Sequence, residues 1–151
     1  MTGINHAATG ALVAAAINKP LIALPAALAS HFVVDSIPHW DYKVPGGVGG
    51  RIKVMSADLL LSLTLLLVLA FNVDATGWLI VAGGLLGIAP DTMWLRFFLT
   101  GRPSIHGNRK SLINRIREFH SWIQWSETKW GLAVEALWLP LAIVLAYHIH
   151  H

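Results

Sequence analysis

From residue 54 to residue 99 the only charged residues in a predominantly apolar stretch are Asp58, Asp74, Asp91 and Arg96. Two segments within that stretch, 54–73 and 76–99, each approach or exceed the ~20 residues that cross about 30 Å of hydrocarbon. A third, 130–147, is slightly shorter and contains Pro140. In lipid the backbone must satisfy its own hydrogen bonds, so segments of this kind are confined to helices. Composition agrees, at 55% hydrophobic and 13% charged with mean hydropathy +0.58, against about 25% charged in soluble domains. The expectation is one membrane-embedded domain over 1–151, an all-α polytopic bundle with three long spans.

The first apolar region does not read as a straight span. Residues 7–17 and 21–37 are separated by Asn18, Lys19 and Pro20, and the second piece holds Pro25. At ~1.5 Å per residue the first piece reaches only about half way across. A broken or re-entrant helical pair fits, tolerated where other helices cover its backbone. Residues 109–129 differ again: Leu112, Ile113, Ile116, Phe119, Trp122 and Ile123 recur at helical spacing, with Arg115, Arg117 and Glu118 on the other side. That pattern predicts an amphipathic helix lying on the membrane surface. Trp122, Trp125, Trp130 and Trp138 fall there or just beyond, as an interfacial belt requires.

Charge placement predicts orientation. Lys43, Arg51 and Lys53 precede the first long span, and Arg102, Arg109, Lys110, Arg115, Arg117 and Lys129 lie between the second and third. The connection at 72–76 has no basic residue, so the positive-inside rule puts 40–53 and 101–129 in the cytoplasm. The net charge of +3 therefore speaks to topology, and no nucleic-acid partner is expected. Residues 1–6 carry no Lys or Arg, which argues against a cleavable signal. The chain has no cysteine, so any metal must be held by His, Asp and Glu.

Chemistry concentrates at the end of the first apolar region, where His31, Asp35, His39 and Asp41 fall within eleven positions. His31 and Asp35 are four apart and share a helix face. Pro38 makes it hard for the helix to continue, so His39 and Asp41 would return toward the same point from a turn. Nitrogen and oxygen donors in that pattern suit zinc or another transition metal. The predicted topology brings His6, Asp58, Asp91, His120 and Glu135 to the same cytoplasmic layer. A carboxylate in a span costs at least ~2.5 kcal/mol and usually faces a partner or a cavity, so several acids at one depth call for a cation. Each also has a plainer role: Asp58 as a helix cap, Asp91 satisfying backbone freed by Pro90, and Glu135 pairing with Arg96 or Lys129. His106 reads as a loop residue, and His148, His150 and His151 fall on the opposite side.

Several of these residues form a recognisable pattern: His6 before a small-residue helix, the Ser-His-Phe-x-x-Asp-x-x-Pro-His-x-Asp-Tyr stretch at 30–42, Asp58, Pro90-Asp91 and His120-Ser121. In these the chain resembles the membrane-bound metal-dependent hydrolases, small bacterial and archaeal inner-membrane proteins, one branch of them LexA-regulated. More remotely, His31-x3-Asp35 with a following Pro and His is similar to a motif of zinc-dependent phospholipase C and P1 nuclease. That similarity implies an all-helical site where several zinc ions cleave phosphoesters. The chain departs from it at His39, adjacent to Pro38, and at Gln124, where those enzymes have Glu.

The resulting expectation is metal-assisted hydrolysis at the cytoplasmic membrane face. His6, His31, Asp35, His39, Asp58, Asp91 and His120 would hold one or more divalent ions, zinc foremost, and Asp41 or Glu135 would act as base. A phosphoester of a membrane lipid or lipid-linked molecule would be the substrate, its head held by Arg96, Arg102 and Arg109. No His-Glu-x-x-His helix is present, which disfavours a zinc peptidase. The competing class is a non-catalytic metal-binding or structural membrane protein.

Overall fold

The computed structural model describes residues 1–72, 77–95, 99 and 111–149. Its regular elements are all helical. Helices α1 (Gly3–Ile17) and α2 (Pro20–Asp35) form a hairpin whose turn is set by Asn18, left-handed at φ 47°, and by Pro20 in the first turn of α2. At 15 and 16 residues, about 23 and 24 Å, neither helix matches the thickness of a bilayer core. This is the helical pair expected of residues 7–37, and it sets the N-terminal end of α1 beside the C-terminal end of α2.

Helix α1 is the centre of the molecule, packed by α2, by α3 (Gly47–Phe71), by α4 (Gly77–Ile88) and by the last helix, α6 (Gly131–His148). Its side chains are small: Ala7, Ala8, Ala11 and Ala14 are buried. Small residues let helices approach closely where apolar surroundings give no hydrophobic drive. A Cβ on Gly10 would meet the Gly83 carbonyl, and one on Gly87 would meet the His6 carbonyl. The glycines of α4 thus bring its backbone against the turn of α1 that carries His6.

Helices α3 and α6 are long and apolar enough to cross a membrane, at 25 and 18 residues. Leu60, Leu61, Leu67 and Phe71 of α3 are exposed, an apolar surface unlike that of a soluble core helix. The expected span at 76–99 is not continuous. Its α-helix ends at Ile88 after 12 residues, and residues Ala89–Trp94 form a 3-10 helix with Pro90 in its first turn. Pro90 cannot donate to the carbonyl one turn back. The described residues therefore hold two span-length helices, not three.

Helix α5 (Leu112–Ile123) follows the expected amphipathic segment. Leu112, Ile113, Phe119 and Trp122 are exposed, while His120 is completely buried. The helix is anchored to the bundle by polar contacts, among them Arg117 donating to the Met93 carbonyl at 3.2 Å, and by Phe119 against the Phe32 ring.

Candidate metal centre

His31 and Asp35 project from the last turns of α2, His6 from the first turns of α1, Asp91 from the 3-10 segment and His120 from α5. His39 follows α2 on a stretch pinned to the strand-like residues before α6, where the Thr128 N–H donates to the His39 carbonyl at 2.8 Å. The side chains of His6, His31, Asp35, His39 and His120 are fully buried, and Asp91 is 24% exposed.

Asp35 lies at the centre. Its Oδ1 accepts from the Met1 amino group at 2.7 Å and is 3.1 Å from His6 Nε2. Its Oδ2 is 3.2 Å from His31 Nε2 and 2.8 Å from His120 Nε2. Asp91 faces the same nitrogens, with Oδ1 3.6 Å from His31 Nε2 and Oδ2 3.9 Å from His6 Nε2. Two groups of three, His6–His31–Asp91 and His31–Asp35–His120, each offer one donor atom per residue within 4.8 Å of one another.

Hydrogen bonds on the far side of each ring decide which nitrogens are free. His31 Nδ1 is 2.7 Å from the Gly87 carbonyl and His39 Nδ1 is 2.8 Å from the Ile37 carbonyl. A carbonyl only accepts, so both Nδ1 atoms carry the proton and both Nε2 atoms keep a lone pair in the neutral ring. That outer carbonyl is the partner which orients metal-ligating histidines. His6 Nδ1 and His39 Nε2 are buried with no hydrogen-bond partner, and His6 Nε2 has only the Asp35 carboxylate at 3.1 Å, outside hydrogen-bond geometry. Each such orphan costs about 1–3 kcal/mol if nothing meets it, and an N/O donor set of this kind is what a divalent transition metal takes. By this measure the residues fit a metal.

His120 has a different environment. The indole N–H of Trp94 donates to its Nδ1 at 3.0 Å, and an indole nitrogen has no acceptor capacity. The proton of neutral His120 is then on Nε2, directed at Asp35 Oδ2. Gln124 Nε2 is also 3.3 Å from His120 Nε2, but this contact is longer and the oxygen and nitrogen of an amide are interchangeable by a flip. His120 Nε2 is also 3.1 Å from His31 Nε2, so His120 stands as a donor toward Asp35 and His31, and His6–His31–Asp91 is the group without it.

Two acids expected in the centre are placed elsewhere. Glu135 accepts from the Trp40 N–H at 2.7 Å through Oε1, and through Oε2 from the Thr2 N–H at 3.0 Å, the Thr2 hydroxyl and Asn5 Nδ2. These bonds tie Glu135 to the N-terminal end of α1 and to the Trp40 backbone rather than to the histidine cluster. Asp58 Oδ1 accepts from the Ile4 N–H at 3.1 Å and Oδ2 from the Tyr42 hydroxyl, which in turn accepts from the Gly3 N–H at 2.8 Å. These carboxylates meet the free N–H groups and the positive dipole end of α1. Asp58 is a cap, as its plainer role suggested, but for a helix 54 positions away.

Asp41 lines a cavity together with Asp91, and burial pushes its carboxyl above the usual range, with Glu127 and Asp35 adding to the rise. Burial, with Asp58 beside it, likewise pushes the Tyr42 hydroxyl up. Lys43 pairs with Glu127, closing the segment that carries Asp41 onto the approach to α6. Arg96, Arg102, Arg109, His106, His150 and His151 lie outside the described residues. Sequence reasoning missed Trp94, Gly87 and the Thr2–Asn5 pair; the glycine spacing at 83 and 87 was the one local signal for the close approach of α4.

No family model, curated protein or solved structure matches the chain.

Proposed function

We propose that this chain is a metal-dependent hydrolase embedded in the bacterial or archaeal inner membrane, its centre toward the cytoplasm, acting on a phosphoester of a lipid or lipid-linked molecule. The observation that carries the reading is a buried cluster in which His6 Nδ1 and His39 Nε2 have no hydrogen-bond partner and His6 Nε2 sits 3.1 Å from Asp35 with Asp91 close by. The orientation rests on Lys43, Arg51, Lys53 and Lys129 at the same end of the helices as the cluster.

His6, His31, Asp35 and Asp91 would hold the ion, zinc by donor type, with His39 Nε2 4.0 Å from the Asp35 oxygen that His6 approaches and outside both groups of three. When bound, such an ion supplies Lewis acidity toward a phosphoryl oxygen and lowers the pKa of nearby water. Asp41, facing the cavity, takes the proton of the attacking water. His120 holds Asp35 in orientation, and Trp94 holds His120. Full burial of the cluster excludes bulk water, and the partial exposure of Asp91 marks the side from which substrate arrives.

Turnover of a phosphodiester such as bis-p-nitrophenyl phosphate by the purified protein in bilayer discs tests the proposal. Activity is expected in zinc-loaded protein, lost on chelation, restored by zinc and absent from His31→Ala. Metal-loaded protein that cleaves neither this ester nor a short-chain lipid phosphodiester would leave a metal-binding membrane protein without hydrolase activity.

A further inference from the structure

A cavity of about 460 Å³ opens beside the cluster, between α3 and the segment from Ile88 to Leu95. Asp91, Asp41 and Gln124 supply polar groups to it, and Ile52, Met55 and Leu59 of α3, with Ile88 and Leu95, supply apolar side chains; Ser56, Asp58 and Ser62 of α3 also line it. Ile52, Met55 and Leu59 all line it, one apolar stripe of a helix, about 10 Å long at 1.5 Å per residue, with Ser62 continuing it one turn on, its hydroxyl turned back to the Asp58 carbonyl. The next residues round the same helix, Leu60 and Leu61, are 67% and 58% exposed. The wall of the cavity is thus a helix long and apolar enough to cross a membrane, with hydrocarbon-compatible surface on its outer face.

An apolar cavity with a few convergent polar groups is the ordinary form of a ligand site. Here the polar groups include a member of the candidate metal centre, and an amphiphile can enter laterally from the bilayer. The geometry points to a binding site for a single apolar chain of a lipid, the chain lying against Ile52, Met55 and Leu59 and the phosphoester reaching Asp91. This assignment rests on the hydrolase reading for the role of the head group. The chain pocket itself does not depend on it.

Alkyl phosphates of two lengths separate the possibilities. Binding of dodecyl phosphate and butyl phosphate to the full chain in bilayer discs is measured by calorimetry, with empty discs subtracted. Dodecyl phosphate is expected to bind at least about tenfold more tightly, since each buried methylene adds to affinity. Met55→Trp and Leu59→Trp, which fill the cavity from one wall, are expected to reduce dodecyl binding about tenfold and leave butyl binding unchanged. Leu60→Trp on the outer face should change neither, and unaltered metal content in all three variants checks folding. Equal affinity for the two phosphates, or a chain preference undiminished in both cavity variants, overturns the assignment. If chain preference persists in protein that binds no metal, the hydrolase reading fails and the pocket stands. If metal-loaded protein cleaves short phosphoesters without chain preference, the pocket fails and the hydrolase reading stands.

Discussion

Two sets of polar side chains meet at the N-terminal end of α1, and they differ in how far the protein satisfies their ionisable groups; in the first, among the described residues, only the Asn5 amide oxygen is left without a partner. Around Glu135 and Asp58, the carboxylate oxygens described above meet backbone N–H groups, hydroxyls or an amide. Around Asp35, His6 Nδ1 and His39 Nε2 are shut away from water with no hydrogen-bond partner, and His6 Nε2 meets only the Asp35 carboxylate at 3.1 Å. The first set is a frame: it satisfies the free end of a helix that carries little polar side chain of its own. The second is incomplete in a way the fold could have avoided with apolar residues of similar size. Burial of an acid is common to both, so burial does not identify the functional one. Satisfaction by protein donors does.

The largest expected effect comes from breaking the incomplete set at its oriented member. His31→Ala should lower phosphodiester turnover at least about 1,000-fold, with helix content by circular dichroism unchanged. The frame should respond in the opposite sense. Glu135→Ala strands several donors at once and should lower unfolding stability by about 3 kcal/mol or more, measured by denaturant titration in detergent. Whatever Glu135→Ala protein remains folded should keep its metal.

Between these lies His120, which touches the centre but gives its proton to Asp35. His120→Ala should weaken metal affinity about 10- to 100-fold, the scale of an outer partner, and far less than His31→Ala in the same competition with a chelator. Equal losses in the two variants would move His120 into the coordinating set. The smallest effect sharpens the frame: Tyr42→Phe removes the hydroxyl between Asp58 and Gly3 and should cost about 1–2 kcal/mol of stability with metal content unaltered.

How far these roles could be read from sequence follows from what each depends on. His31 and Asp35 were legible because four-residue spacing on a helix fixes a shared face. His6 was legible through Asn18-Lys19-Pro20, whose turn chemistry predicts the hairpin that folds residue 6 back. Asp58 and Glu135 were expected at the same end of the bundle as the cluster, but not at the N-terminal end of α1, because hydropathy ranks residues along a helix axis and says nothing of rotation about it. The expected 76–99 span failed at Pro90: hydropathy counts apolar side chains, whereas the helix was ended by a missing N–H. The role of His120 was not readable, since it depends on Trp94, 26 positions away and positioned only by tertiary packing.

The central claim is that the cluster around Asp35 is completed by a divalent ion while the frame around Glu135 is not. Elemental analysis of protein purified without chelator, wild type beside Asp35→Ala, tests it most directly. The account predicts about one or more transition-metal ions per chain in wild type and a loss of that metal in Asp35→Ala at unchanged helix content. Wild-type protein that carries no stoichiometric metal, and takes none up from added zinc, would contradict it.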